Sequence, residues 1–178
     1  MKCVYTHDIG VIGAGRMGAC IAGQMAINGA RVAVFDKSEF DRKKGYEIMS
    51  ADLKALVDSE MMLAVDRDDA LSRITMVTSI VDAVKAPLVC TLAHFCLPFL
   101  HQVLRIFNLL YCTATWQVIE VIYEDLKAKQ ELFKKLDQAC RDVGSRAVLA
   151  SNSITFTIDE ITGDGVVAPD RQVCFLGF

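Results

Sequence analysis

No C-x-x-C pair occurs among the seven cysteines, which are scattered and odd in number. That argues against a paired-thiol metal site and against a disulfide framework, and fits reduced thiols inside a cell. The chain also lacks an excess of positive charge. Its 19 basic and 22 acidic residues are interspersed and leave a net charge of −3. A nucleic-acid footprint needs a basic face, so this balance argues against that class. No leader is evident either. Met1 to His7 is too short for a secretory or mitochondrial presequence. The expectation is a cytoplasmic protein, or a mitochondrial one if an upstream segment exists. What the chain has is apolar residues, 53% of the total and above the usual share for a soluble domain. Its 178 residues are enough for one buried core and imply one domain, residues 1–178.

The most informative stretch is an apolar run, Asp8-Ile9-Gly10-Val11-Ile12, followed by Gly13-Ala14-Gly15-Arg16-Met17-Gly18. An apolar helical stretch, Ala19 to Asn28, comes next. A second apolar run, Arg31 to Phe35, ends at Asp36. The order is strand, glycine turn, helix, strand, acid. Gly13 permits the tight turn, Gly15 lets backbone approach a pyrophosphate, and Gly18 lets helix pack on strand. The helix N-terminus offers amide donors and partial positive charge. Asp36 is placed to accept from a ribose 2′-hydroxyl and to repel a 2′-phosphate, which favours NAD over NADP. Arg31 and Lys37 flank this acid and are expected in solvent. The competing reading is a strand–helix–strand unit that needs its glycines for packing alone.

Further along, Lys37 to Lys54 reads as a charged amphipathic helix with Ser38 as its cap. A short helix is expected over Asp66 to Leu71 and a strand over Ile74 to Thr78. Val118 to Ile122 reads as a strand, and Glu124 to Cys140 is the clearest helix, with Leu126, Phe133, Leu136 and Ala139 near helical spacing. Ala147 to Ala150 is the next strand, Ile158 to Ile161 a short helix, and Gln172 to Leu176 a last strand. Strands alternating with helices imply an α/β fold of Rossmann type, a doubly wound and mostly parallel sheet.

One block does not fit this alternation. From Ala86 to Gln117 the chain is apolar and aromatic, with Arg105 its one charged residue. A membrane span is broken by Pro98, His101, Gln102 and Arg105. Cys90, His94, Cys96 and His101 match no regular zinc spacing, so no metal is expected. The favoured reading is an insertion foreign to the fold, loosely packed and prone to aggregate.

Four separated motifs resemble the 3-hydroxyacyl-CoA dehydrogenases. They are Gly13 to Gly18, Val34-Phe35-Asp36, the run from Val118 to Phe133, and Ala150-Ser151-Asn152-Ser153. Ala70 to Ile74 and Asp170-Arg171 also match the family's pattern. The resemblance implies an NAD-dependent oxidoreductase of fatty acid metabolism. It implies that Gly13, Ala14, Gly15, Arg16, Met17, Gly18 and Asp36 hold the adenosine and pyrophosphate side. Glu124 and Lys129 match positions that contact NAD near its nicotinamide half, and Asn152 and Ser153 match the substrate segment. On the residues alone, the preferred readings are a helix-start acid for Glu124 and a solvated helix lysine for Lys129.

The departures from the family are as specific. Ile154 stands where the substrate-contacting serine is expected, and its side chain donates no hydrogen bond. None of His7, His94 and His101 aligns with the catalytic histidine, so no catalytic residue is assigned. The family's C-terminal helical domain, which the resemblance implies would carry the base's glutamate partner and much of the dimer contact, is not expected within these 178 residues. The expectation is an NAD-binding domain without turnover of acyl-CoA on its own. The alternatives are an NAD-binding module without catalysis and an oxidoreductase like lambda-crystallin or L-gulonate 3-dehydrogenase.

Overall fold

The computed structural model describes residues 8–84, 117–145, 147–163 and 172–174. β-branched runs make the strands expected of them: β1 (Asp8–Ile12), β2 (Arg31–Phe35), β3 (Ile74–Val77), β4 (Gln117–Glu120), β5 (Val148–Ser151) and β6 (Gln172–Cys174). Between them lie α1 (Arg16–Ile27), α2 (Glu39–Asp58), α3 (Ala64–Ser72), α4 (Ile80–Val84), α5 (Leu126–Asp142) and α6 (Ile158–Thr162). The sheet runs β3-β2-β1-β4-β5-β6, and every neighbouring pair is parallel. This is the doubly wound order, with its reversal between β1 and β4.

Alternation along the strands divides the core in two. Val11, Val32, Val34 and Ile119 face one side of the sheet with Ala22, Met49 and Leu53 from α1 and α2. Ile12, Val118 and Leu149 face the other with Ala83, Phe133, Leu136 and Ile161. Successive strand residues point to opposite faces, so Val11 and Ile12 serve different helical layers. Among the described residues no helix is long and apolar enough to cross a membrane.

Helix ends are set by caps that the sequence carries. The Ser38 hydroxyl accepts from the Asp41 amide at 3.2 Å, so α2 starts at Glu39, and it runs past Lys54 to Asp58, as expected from Leu53, Leu56 and Val57 continuing its apolar face. Asp125 accepts from the Ala128 amide at 2.8 Å and starts α5 at Leu126. Thr157 and Glu160 form a reciprocal capping box at α6. The hydrogen bonds from Thr157 hold the Glu160 carboxyl below its ordinary pKa. Its stabilising effect is present above the unfolded-state value and is lost as pH falls through the lower folded one. Replacing Ser38 with alanine should cost about 1 kcal/mol in urea unfolding, and an unchanged midpoint would show that α2 does not depend on its cap.

Three expectations need correction. Gln117, assigned to the apolar block, is the first residue of β4 and pairs with Ile9 of β1. Glu124, read as a helix-start acid, lies ahead of α5, because Asp125 takes the cap position. Helix α4 was not expected. Its five residues are too few to show a period, and its signal is local: Ser79 accepts from the Asp82 amide at 3.1 Å. The rest of the Ala86 to Gln117 block, with Cys90, His94, Cys96 and His101, lies outside the described residues.

Candidate functional site

A cavity of about 630 Å³ opens where β1, β2 and β4 end. Its walls include Gly13 and Gly15 after β1, Asp36 and Lys37 after β2, and Ile122 and Tyr123 after β4. A crevice at the carboxyl ends of strands, beside the point where strand order reverses, is where doubly wound folds bind ligands.

The glycine turn is built for close approach. Gly13 has φ +110°, a conformation that side chains rarely adopt, and a Cβ there would stand 2.7 Å from the Val121 carbonyl oxygen. Gly15 caps α1 at φ −67°, and a Cβ on it would meet nothing within 4 Å. The space beside Gly15 is therefore open to a ligand at the helix N-terminus, where amides are free to meet an anion. Asp36 is fixed rather than loose. One carboxylate oxygen accepts from the Ala14 amide at 3.0 Å and the other from the Ser38 amide at 3.0 Å. Arg42 donates to the Asp36 carbonyl oxygen at 2.6 Å. These contacts join the glycine turn to the end of β2 and leave the carboxylate on the cavity wall.

The other motif residues divide. Arg16 turns away to Asp52 of α2 at 2.9 Å, with 65% of its side chain exposed. That hydrogen bond raises its pKa above the ordinary value. Asp52 also accepts from the Cys20 thiol at 3.7 Å, and burial pushes that thiol's pKa up. Met17 is exposed, and Gly18 packs beneath the Gly13 carbonyl. Lys37 is exposed on the cavity wall, as expected, and Arg31 is exposed at the far end of β2.

Glu124, Lys129 and Ser153 come together in a second cluster beside the cavity. Lys129 is fully buried, which overturns its reading as a solvated lysine. Its ammonium lies 2.8 Å from Glu120 and 3.9 Å from Glu124. Glu124 accepts from the Ser153 hydroxyl at 2.9 Å and from the Ile154 amide at 3.3 Å. The Ile154 side chain points into solvent at 81% exposure, so this position donates through its backbone instead. Ser153 is buried, and its hydroxyl also accepts from the Phe156 amide at 3.0 Å. The Asn152 amide donates to the Glu120 carbonyl oxygen at 2.9 Å.

Sequence reasoning missed Glu120 and Ser151, both fully buried and joined at 2.6 Å. The signal for Glu120 was present: one acid within the apolar run Val118 to Ile122. An acid at a core strand position needs a cation or several donors.

The parallel sheet, the glycine turn at its switch point and the acid after β2 define a Rossmann-type dinucleotide-binding domain. The family described as 3-hydroxyacyl-CoA dehydrogenase, NAD binding domain, matches residues 8–93 and 109–177. The chain belongs to that family, and NAD is the cofactor that goes with it. The matched ranges reach into both ends of the Ala86 to Gln117 block. A 3-hydroxybutyryl-CoA dehydrogenase of Mycobacterium tuberculosis is 29% identical over 153 residues, covering 86% of this chain and 43% of that protein. Among solved structures, FadB2 of M. tuberculosis superposes with a TM-score of 0.72 at 26% identity, covering 97% of this chain and 49% of that one. The (S)-3-hydroxybutyryl-CoA dehydrogenase PaaH1 of Ralstonia eutropha gives 0.71 at 25% identity, over 95% of this chain and 48% of that one. The chain spans less than half the length of the curated relatives it matches.

Proposed function

We propose that this chain is the cofactor-holding part of an oxidoreductase acting on 3-hydroxyacyl-CoA thioesters, within fatty acid metabolism. The adenine ribose sits on Asp36, and the pyrophosphate lies over Gly13 to Gly15 at the start of α1. The nicotinamide half runs along the wall after β4. The observation that carries this reading is the Asp36 carboxylate, held by two amides on the wall of the same cavity that Gly13 and Gly15 line. A carboxylate fixed there accepts a 2′-hydroxyl and opposes a 2′-phosphate.

Bound NAD supplies the electron-accepting ring, and the protein's part is to bind and orient it. The acyl substrate belongs beside Asn152 and Ser153, whose loop adjoins Glu124. The scattered cysteines support a cytoplasmic setting. By the family resemblance, a dimer would form mainly through the helical half.

Calorimetric titration of the purified chain tests the cofactor reading. NADH is expected to bind more tightly than NADPH. Asp36→Ala should weaken NADH binding by about 1–3 kcal/mol, the range for a lost charged hydrogen bond. Equal affinity for the two cofactors in the unchanged chain would refute the reading.

A further inference from the structure

The cavity wall after β2 carries a second acid besides Asp36. It is Asp41, in the first turn of α2. Ser38 ties the two together. Its amide donates to one Asp36 oxygen at 3.0 Å, and its hydroxyl accepts from the Asp41 amide at 3.2 Å. An acid three residues after a serine or threonine cap ordinarily reaches back to the cap's own amide and closes a capping box, as Glu160 does for Thr157 in this chain. At Ser38 that amide is already held by Asp36. Asp41 therefore keeps its backbone place at the helix start while its carboxylate is left exposed on the cavity wall. Among the described residues that carboxylate has no hydrogen bond or ion pair.

The cation on the same stretch of wall is Lys37, which is also exposed and has no ion pair among the described residues. Arg42, close by, is engaged by the Asp36 carbonyl oxygen at 2.6 Å. Glu131 and Lys135 of α5 complete the charged lining, one of each sign.

We infer that Asp41 is a second determinant of cofactor choice, which opposes at the ribose the 2′-phosphate that Lys37 would otherwise attract. The inference rests on the NAD reading of the cavity and deepens it. A phosphate monoester carries about −1.5 to −2 charge at pH 7 and is repelled by each nearby carboxylate, whereas a 2′-hydroxyl carries none. With Asp36 alone, one carboxylate would face the one cation of Lys37. Asp41 tips that sum to negative, so the preference for NAD does not rest on Asp36 by itself. The competing role is structural, because an acid in the first turn of a helix is favoured by the helix dipole whatever the cavity holds.

The experiment compares adenosine 2′,5′-bisphosphate with AMP, which differ only in the 2′-phosphate. Each is titrated against bound NADH by fluorescence displacement, in the unchanged chain and in Asp36→Ala. The quantity read is the dissociation constant of the bisphosphate divided by that of AMP. Asp41→Asn removes one charge and keeps the backbone amide that Ser38 accepts from. It should lower the ratio about fivefold or more, and the gain should shrink as salt is raised. Adding Lys37→Gln should return the ratio to within about twofold of its starting value.

A ratio unmoved by Asp41→Asn in both backgrounds would overturn the inference, as would a bisphosphate that displaces NADH from none of the chains. Lower thermal stability with an unmoved ratio would assign Asp41 to the helix dipole alone. A ratio that Lys37→Gln does not restore would overturn the part given to Lys37. An unchanged chain that binds neither NADH nor AMP would instead refute the NAD reading.

Discussion

Replacing Gly18 with alanine is expected to destabilise the fold by roughly 2 kcal/mol or more, although alanine is the better helix former. Gly18 lies in the first turn of α1, where intrinsic propensity favours alanine by about 0.5–1 kcal/mol. Packing reverses that preference. A Cβ at this position would stand 1.9 Å from the Gly13 carbonyl oxygen and 3.0 Å from its carbonyl carbon. The obstacle is backbone, which has no rotamer to change. Relief requires either α1 to lift from β1 or the glycine turn to shift.

Both routes disturb the cavity. Gly13 is itself held by its amide, which donates to the Phe35 carbonyl oxygen at 2.8 Å. Moving the turn strains that bond and the contact between the Ala14 amide and Asp36. Urea unfolding of the Gly18→Ala chain, beside NADH titration, should therefore show lower stability and weaker binding together. An unchanged or raised midpoint would show that α1 does not seat on Gly13 as described.

The part of this fold legible in the sequence is the part in which a residue type has one physical job. The β1 turn could be read because glycine, the following helix and the distant acid each constrain the same few ångströms. Asp36 was found for that reason, and the structure places it on the cavity wall with Gly13 and Gly15. Ser38 was legible as a cap because a hydroxyl before a charged amphipathic run has few other uses.

The buried lysine was not legible, because pattern reading assumes that lysine seeks water. Lys129 sits between Ala128 and Gln130 on a helix rich in exposed lysines, and nothing local sets it apart. Its burial is decided by Glu120, nine residues earlier on a strand. Glu124 was misplaced by two residues of helix start, yet that displacement frees its carboxylate to reach Ser153 and Ile154. Short elements fail for another reason. A five-residue helix such as α4 has no period to detect, and its existence depends on Ala83 and Val84 filling the core beneath β1.

Gly15→Ala should give the opposite outcome to Gly18→Ala, and the contrast isolates the ligand-facing glycine from the packing one. At φ −67° Gly15 sits in a conformation open to any residue. Its added methyl group would touch no protein atom within 4 Å. The cost to folding is limited to the weaker capping of alanine, about 0.5 kcal/mol relative to glycine. The methyl group instead enters the space beside the α1 N-terminus, on the cavity wall. If the pyrophosphate lies there, the clash falls on the cofactor alone. NADH affinity should drop by about 1–3 kcal/mol, or roughly 5–150-fold in Kd, while the urea midpoint stays near that of the unchanged chain. AMP makes a useful control, because it fills the Asp36 side without spanning the turn and should lose much less affinity. Equal losses for NADH and AMP would place the pyrophosphate elsewhere. Undiminished NADH binding would mean that Gly15 serves only the geometry of the helix start.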